Sequence, residues 1–70
     1  MKYITAVFYT EKENKTRREK VVYFENPCDI AKEASIFSKS IESEFFHDNN
    51  HAENVHARTF ELEVPSYDLR

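Results

Sequence analysis

Three histidines crowd one stretch of the chain: His47 and His51 stand four apart and His56 five further on, with Asp48 and Glu53 between them. On a helix the first two would share a face, the arrangement by which paired imidazoles hold zinc. The run H-D-N-N-H-A-E-N is instead rich in Asn, a composition that ends helices and forms surface loops. It lacks the H-E-x-x-H order and has no cysteine beside it, so no metal or other cofactor is expected there. Nor does a serine or cysteine stand at a spacing that would draw these histidines into a catalytic triad.

The other reactive side chains are equally unsupported. Cys28 is the only cysteine in the 70 residues, which excludes an internal disulfide and a thiolate zinc cage and points to a reducing, cytosolic setting. Although it stands close to a helix start, no catalytic partner accompanies its thiol and it reads as inert. Glu61 and Glu63 share one strand face, as a carboxylate pair must. Alternating acids on the wet side of a strand more often keep sheet edges apart. Glycine is absent altogether. The phosphate-cradling loop, the dinucleotide fingerprint, the strained nucleophile elbow and the Asn-Gly hairpin turn are therefore excluded. No enzyme is expected.

Charge is the remaining resource. The formal net charge is −3, which argues against a general nucleic-acid binder. It is also uneven: residues 1–40 carry +2 and residues 41–70 carry −5. Lys12, Lys15, Arg17, Arg18 and Lys20 cluster among Glu11, Glu13 and Glu19, the best basic patch in the chain. Glu42, Glu44, Asp48, Glu53, Glu61, Glu63 and Asp68 supply the acidic half.

The elements that must position these groups begin with a helix from Pro27 to about Phe46. Asn26 is a favoured N-cap, proline is favoured at the first helical position, and Asp29 meets the positive end of the peptide dipoles. Ile30, Ala34, Phe37, Ile41 and Phe45 then recur on one narrow face. Lys32, Glu33, Ser35, Lys39, Ser40, Glu42 and Ser43 fill the polar surface, which Ile36 interrupts; Phe46 lies to one side.

Lys2 to Thr10 reads as a strand, with Ile4, Ala6 and Phe8 on one face and Tyr3, Thr5, Val7 and Tyr9 on the other. Glu11 to Arg18 forms an exposed hairpin tip in which Asn14 is the residue most suited to a left-handed conformation. The return strand runs from Arg18 to Glu25, with Val22 and Phe24 opposed to Val21 and Tyr23. His47 to Asn54 is a loop, and Val55 to Val64 is a third strand with Phe60, Leu62 and Val64 opposed to Thr59, Glu61 and Glu63. Pro65 ends it, leaving Ser66 to Arg70 as a tail.

A chain this short makes one domain, residues 1–70, with a marginal core. The order β-β-α-β predicts an α+β fold with a three-stranded sheet of order 2-1-3 and the helix packed on one face. Helix stripe and the faces bearing Ile4/Phe8, Val22/Phe24 and Phe60/Leu62/Val64 are expected to form the core. Tyr3, Val7, Tyr9, Val21 and Tyr23 are then left on an uncovered face, an apolar and aromatic patch of the kind that marks an interface. No secretory signal is expected, because the first apolar run is broken by Thr5 and followed by charges, and no stretch approaches the ~20 apolar residues of a membrane span.

This layout, with A-V-F-Y in the first strand and K-V-V-Y-F in the second, resembles that of small bacteriophage host-takeover and anti-defence proteins, in particular the Dmd-type antitoxins of T-even phages. The likeness runs from Tyr3 to Val64 and lies in pattern and composition, and no functional residue is carried over from it. It implies a stoichiometric inhibitor, working in the host cytoplasm, that covers the surface of a host or defence protein such as a nuclease or toxin.

The expected function is accordingly a non-enzymatic protein-binding module. Tyr3, Val7, Tyr9, Val21, Tyr23, Glu61 and Glu63 are its partner-binding residues, and the acidic half steers it towards a basic target. The alternative is a small single-stranded RNA or DNA binder using Lys15, Arg17, Arg18 and Lys20 beside the sheet tyrosines. A homodimer, paired through the uncovered face or the outer edge of the third strand, would enlarge the small core.

Overall fold

Asn14 and Lys15 close the hairpin by themselves, both at positive φ, 47° and 71°. A two-residue turn of the primed type needs this conformation at both central positions, and its twist matches that of the flanking strands. The absence of glycine thus excludes the Asn-Gly pair but not the two-residue turn. In place of an eight-residue tip, the computed structural model, which describes residues 2–62, carries the strands almost to the turn. β1 spans Tyr3–Glu13 and β2 spans Thr16–Asn26.

The turn length decides which side chains share a face. Glu13 pairs with Thr16, so odd-numbered residues of β1 oppose even-numbered residues of β2 throughout: Thr5 with Phe24, Val7 with Val22, Phe8 with Val21. The third strand, β3 (Ala52–Glu61), pairs antiparallel with β1 on its other side, giving the expected order β2-β1-β3. Between Phe8 and Thr10 the register slips by a residue, and Asn54 takes φ 54° there, so Asn54 and Val55 oppose Tyr9 in a bulge. The expected loop His47–Asn54 is therefore much shorter. The helix continues through Asp48, and Asn tolerance of the left-handed region makes a bulge in a strand already begun at Ala52.

The helix, α1 (Ala31–Asp48), starts later than Pro27. Its N-cap is Ile30, which makes no side-chain cap and is 58% exposed, so it drops out of the expected stripe. Asn26 does other work: its Oδ1 accepts from the Cys28 N–H at 3.1 Å, and its Nδ2 donates to Thr5 Oγ1 and to the Ala34 carbonyl, both at 3.0 Å. The amide that could have capped a helix at Pro27 instead ties the end of β2 to β1 and to the first turn of α1. At the other end Asn49 caps the Phe45 carbonyl through both its backbone N–H and its Nδ2.

β1 and β3 meet α1 with the faces opposite to those expected, whereas β2 meets it with the expected Val22/Phe24 face. Ser38 bonds to Thr5 and Thr59, Tyr9 packs on Phe45, and Glu42 bonds to Ala57. Tyr3, Thr5, Val7 and Tyr9 of β1 are thus on the helix side, with Val22, Phe24 and Asn26 of β2 and Ala57 and Thr59 of β3. Ile4, Ala6 and Phe8 face away with Val21, Tyr23, Phe60 and Arg58. Small residues at the centre of the contact, Ala34 and Ser38 against Thr5 and Val7, are buried, while Phe37, Ile41 and Phe45 are half-buried along the flanks. Bulk at the flanks and small groups at the middle let the helix axis come close to the sheet. Glu63, Val64, Pro65, Asp68 and the tail Ser66–Arg70 lie outside the described residues.

Candidate interaction face

The uncovered face of the sheet is built row by row from residues that stand opposite one another in neighbouring strands. Ile4 lies between Glu25 and Phe60, Ala6 between Tyr23 and Arg58, and Phe8 between Val21 and His56. Leu62 extends the row beside Lys2, its N–H donating to the Lys2 carbonyl at 2.7 Å. Ala6 is fully buried beneath the larger side chains of its neighbours, whereas Val21, Tyr23, Phe60 and Leu62 are 39%, 61%, 41% and 38% exposed. Alternation in three strands has gathered these apolar groups on a surface that no element among the described residues covers.

Polar groups on this face are held in place by the aromatics. The His56 ring stacks on Phe8 with centroids 5.3 Å apart and planes 15° from parallel, and its Nδ1 lies 3.2 Å from the Asn54 carbonyl. The Arg58 guanidinium sits 5.7 Å from the centre of the Phe60 ring, within cation–π range. At the hairpin end Arg17 reaches across β1 to Glu53 at 3.8 Å. Phe8, Thr10, Glu19, Asn54 and His56 line a shallow hollow there. Aromatic rings with an arginine among them are the residue types that interfaces favour.

The expected partner-binding set does not come together. Tyr3 and Val7 are buried beneath α1, and Tyr9 is half-buried with its ring centroid 4.8 Å from that of Phe45. Val21 and Tyr23 are on the open face. Glu61, opposite Tyr3, is exposed on the helix side, and Glu63 lies outside the described residues. The physical reason is the parity set by the two-residue turn: residues of like parity in β1 and β2 cannot share a face. Ile4, Phe8, Phe60 and Leu62, expected in the core, are the residues that reading missed. The signal was Asn14, the one point about which an odd partner sum could be inferred.

The basic residues are divided too. Arg17 is on the open side, Arg18 and Lys20 are on the helix side, and Lys15 is in the turn; Lys20 Nζ bonds Glu11 at 3.1 Å. Of the histidines, His47 is in the last turn of α1, His51 in the connection to β3, and His56 on the open face. Among the described residues no three His, Cys, Asp or Glu side chains are grouped as metal ligands would be. Cys28 precedes α1 instead of standing in its first turn. The acidic half is equally scattered, with Glu42 turned under the helix, Glu53 on the open face, and Glu44 and Asp48 on the exposed side of α1. No helix among the described residues is long and apolar enough to cross a membrane. Comparison with protein-family models, with curated proteins and with solved structures returned no match.

Proposed function

We propose that this chain is a non-enzymatic protein-binding module that inhibits a host or defence protein, a nuclease or toxin, by stoichiometric coverage of its surface. The inhibitor role follows from the resemblance to phage anti-defence proteins, and host cytoplasm is the setting it implies. The observation that carries the binding role is the open sheet face, where Val21, Tyr23, Phe60 and Leu62 stay exposed around a buried Ala6. A contiguous patch of this kind on so small a domain loses its cost in water only when another surface covers it.

Single-stranded RNA or DNA is the second reading, favoured by the Phe8–His56 stack and by Arg58 over Phe60, since bases stack on such groups. The acid partners of Arg17 and Lys20 and the net charge of −3 weigh against it.

Affinity capture from bacterial lysate, with and without nuclease, tests both. One protein retained in both lysates, lost with the variant Tyr23→Lys/Phe60→Glu and kept with Ile36→Lys on the outer face of α1, is the expected result. Recovery that disappears on nuclease treatment moves the function to nucleic acid, and equal loss with Ile36→Lys removes the open face from the role.

A further inference from the structure

We propose that the outer edge of β2 pairs with the same edge of a second copy about a two-fold axis, with Val21 at the centre, to make one continuous sheet. The inference stands apart from the function proposed above, because it rests on the two edges of the sheet and not on its open face.

The two edges are treated differently by the fold. On β3 the Ala57 N–H points away from β1 and is covered by the Glu42 carboxylate at 2.7 Å, and the bulge at Asn54–Val55 breaks the edge further along. Bulges and covering side chains are how proteins guard an edge against a further strand. β2 has neither device. It runs straight from Thr16 to Asn26 with no proline and no slip in register, and no described element lies beyond it.

The backbone groups it offers can be named. Leu62 bonds to Lys2, so even residues of β1 bond to β3 and odd ones to β2. Even residues of β2 are thereby used by β1, and the N–H and C=O groups of Arg17, Glu19, Val21, Tyr23 and Glu25 point outward. A two-fold axis normal to the sheet sets odd residues opposite odd residues, which brings these free groups face to face.

Charge selects the register. Centring on Val21 pairs Thr16 with Asn26, so the whole strand is used, and it sets Glu25 opposite Arg17 of the second copy twice over. On the other face Phe24 stands opposite Arg18, an arrangement suited to cation–π contact. Centring on Val22 would instead oppose Glu25 to Glu19, and centring on Lys20 would oppose that lysine to itself. Like charges directly opposite are unfavourable. Arg17 is free to exchange partners, since its contact with Glu53 is long at 3.8 Å and its side chain is 64% exposed. Closure about the axis consumes both unguarded edges and leaves the two guarded β3 edges outermost, so assembly stops at two.

Sedimentation velocity on the full chain tests this. The wild type is expected to sediment as a concentration-dependent dimer. Glu25→Arg and Arg17→Glu should each weaken dimerisation roughly tenfold or more, because each reversal is felt at two symmetry-related pairs. The double variant Arg17→Glu/Glu25→Arg should restore it to within about threefold of wild type, the same opposed pairs being present in reverse. Val21→Pro, which removes an outward N–H and no bond to β1, should abolish the dimer while the far-ultraviolet circular dichroism is retained. A wild-type monomer at all concentrations would overturn the proposal and leave this edge to a strand from another protein. A dimer indifferent to both single reversals, or unrescued by the double variant, would overturn the β2 register.

Discussion

The hydroxyl of Ser38 on α1 lies 2.7 Å from that of Thr5 on β1, with both side chains buried where a helix and a sheet would ordinarily meet through hydrocarbon. Ser38 is also 2.7 Å from Thr59 Oγ1, and Thr5 receives Asn26 Nδ2, so one chain of hydrogen bonds joins β2, β1, α1 and β3. No buried side-chain nitrogen or oxygen among the described residues lacks a partner. Satisfied networks of this kind fix one arrangement of the elements, whereas partly satisfied ones are costly.

The network should therefore respond unevenly to substitution. Thr5→Val leaves one Asn26 Nδ2 hydrogen without its acceptor and takes a partner from the Ser38 hydroxyl, and is expected to cost about 2–3 kcal/mol, with Ser38→Ala costing about 1–2 kcal/mol. The triple change Thr5→Val/Ser38→Ala/Thr59→Val removes acceptors and donors together and should recover much of that loss, because Asn26 Nδ2 keeps the Ala34 carbonyl. Urea unfolding with an unchanged slope is the measurement. A triple variant as unstable as the sum of its parts would show that the hydroxyls contribute singly.

Lys15 at φ 71° has the conformation that glycine adopts without a Cβ clash. Lys15→Gly should stabilise the chain by about 1 kcal/mol, the usual penalty for a side chain in the left-handed region less the extra entropy of glycine in the unfolded state. Lys15→Val should destabilise it by more, its branched Cβ being least tolerant there. The shift of the urea midpoint between these two variants is the quantity to compare.

How much of this was legible follows from the same turn. Periodicity located one helix and three strands, and short connections with the crossover rule led to the order β2-β1-β3, because those signals are local. Which face meets the helix is not local. It depends on whether the number of residues between strands is odd or even, and in β1 both faces are apolar enough, Tyr3/Val7/Tyr9 against Ile4/Ala6/Phe8, for hydrophobicity to leave the choice open. Thr5 then reads as a polar residue on the uncovered face when it is a node of the buried network. Asn26 before Pro27 reads as a helix cap when its amide is engaged with Thr5 and Ala34. Both misreadings place a polar side chain at the surface by default, and only the tertiary partner reverses that.

Two tyrosines make the face assignment measurable. Tyr9, half-buried against Phe45, should cost about 2 kcal/mol when changed to alanine, through lost burial and the lost aromatic contact. Tyr23, 61% exposed on the open face, should change stability by no more than about 0.5 kcal/mol on the same substitution. Thermal or urea unfolding of the pair decides it, and the reverse ranking would return the helix to the Ile4/Phe8 face.

Glu42 gives the last prediction. Its carboxylate accepts the Ala57 N–H at 2.7 Å, a charge-assisted bond to a backbone donor on the outer edge of β3. Glu42→Ala leaves that donor to water or to a foreign strand. The expected cost is about 1–2 kcal/mol, with a selective gain in hydrogen exchange at the Ala57 amide relative to Ala6 at the sheet centre. Glu42→Gln retains an acceptor without the charge and should fall between the two. Because the uncapped edge is now open to pairing, Glu42→Ala should also form larger assemblies as concentration rises, where the wild-type edge does not. Faster exchange without assembly would mean that the bulge at Asn54–Val55 is enough to guard β3, and unchanged exchange would mean that Glu42 does not hold the Ala57 amide in solution.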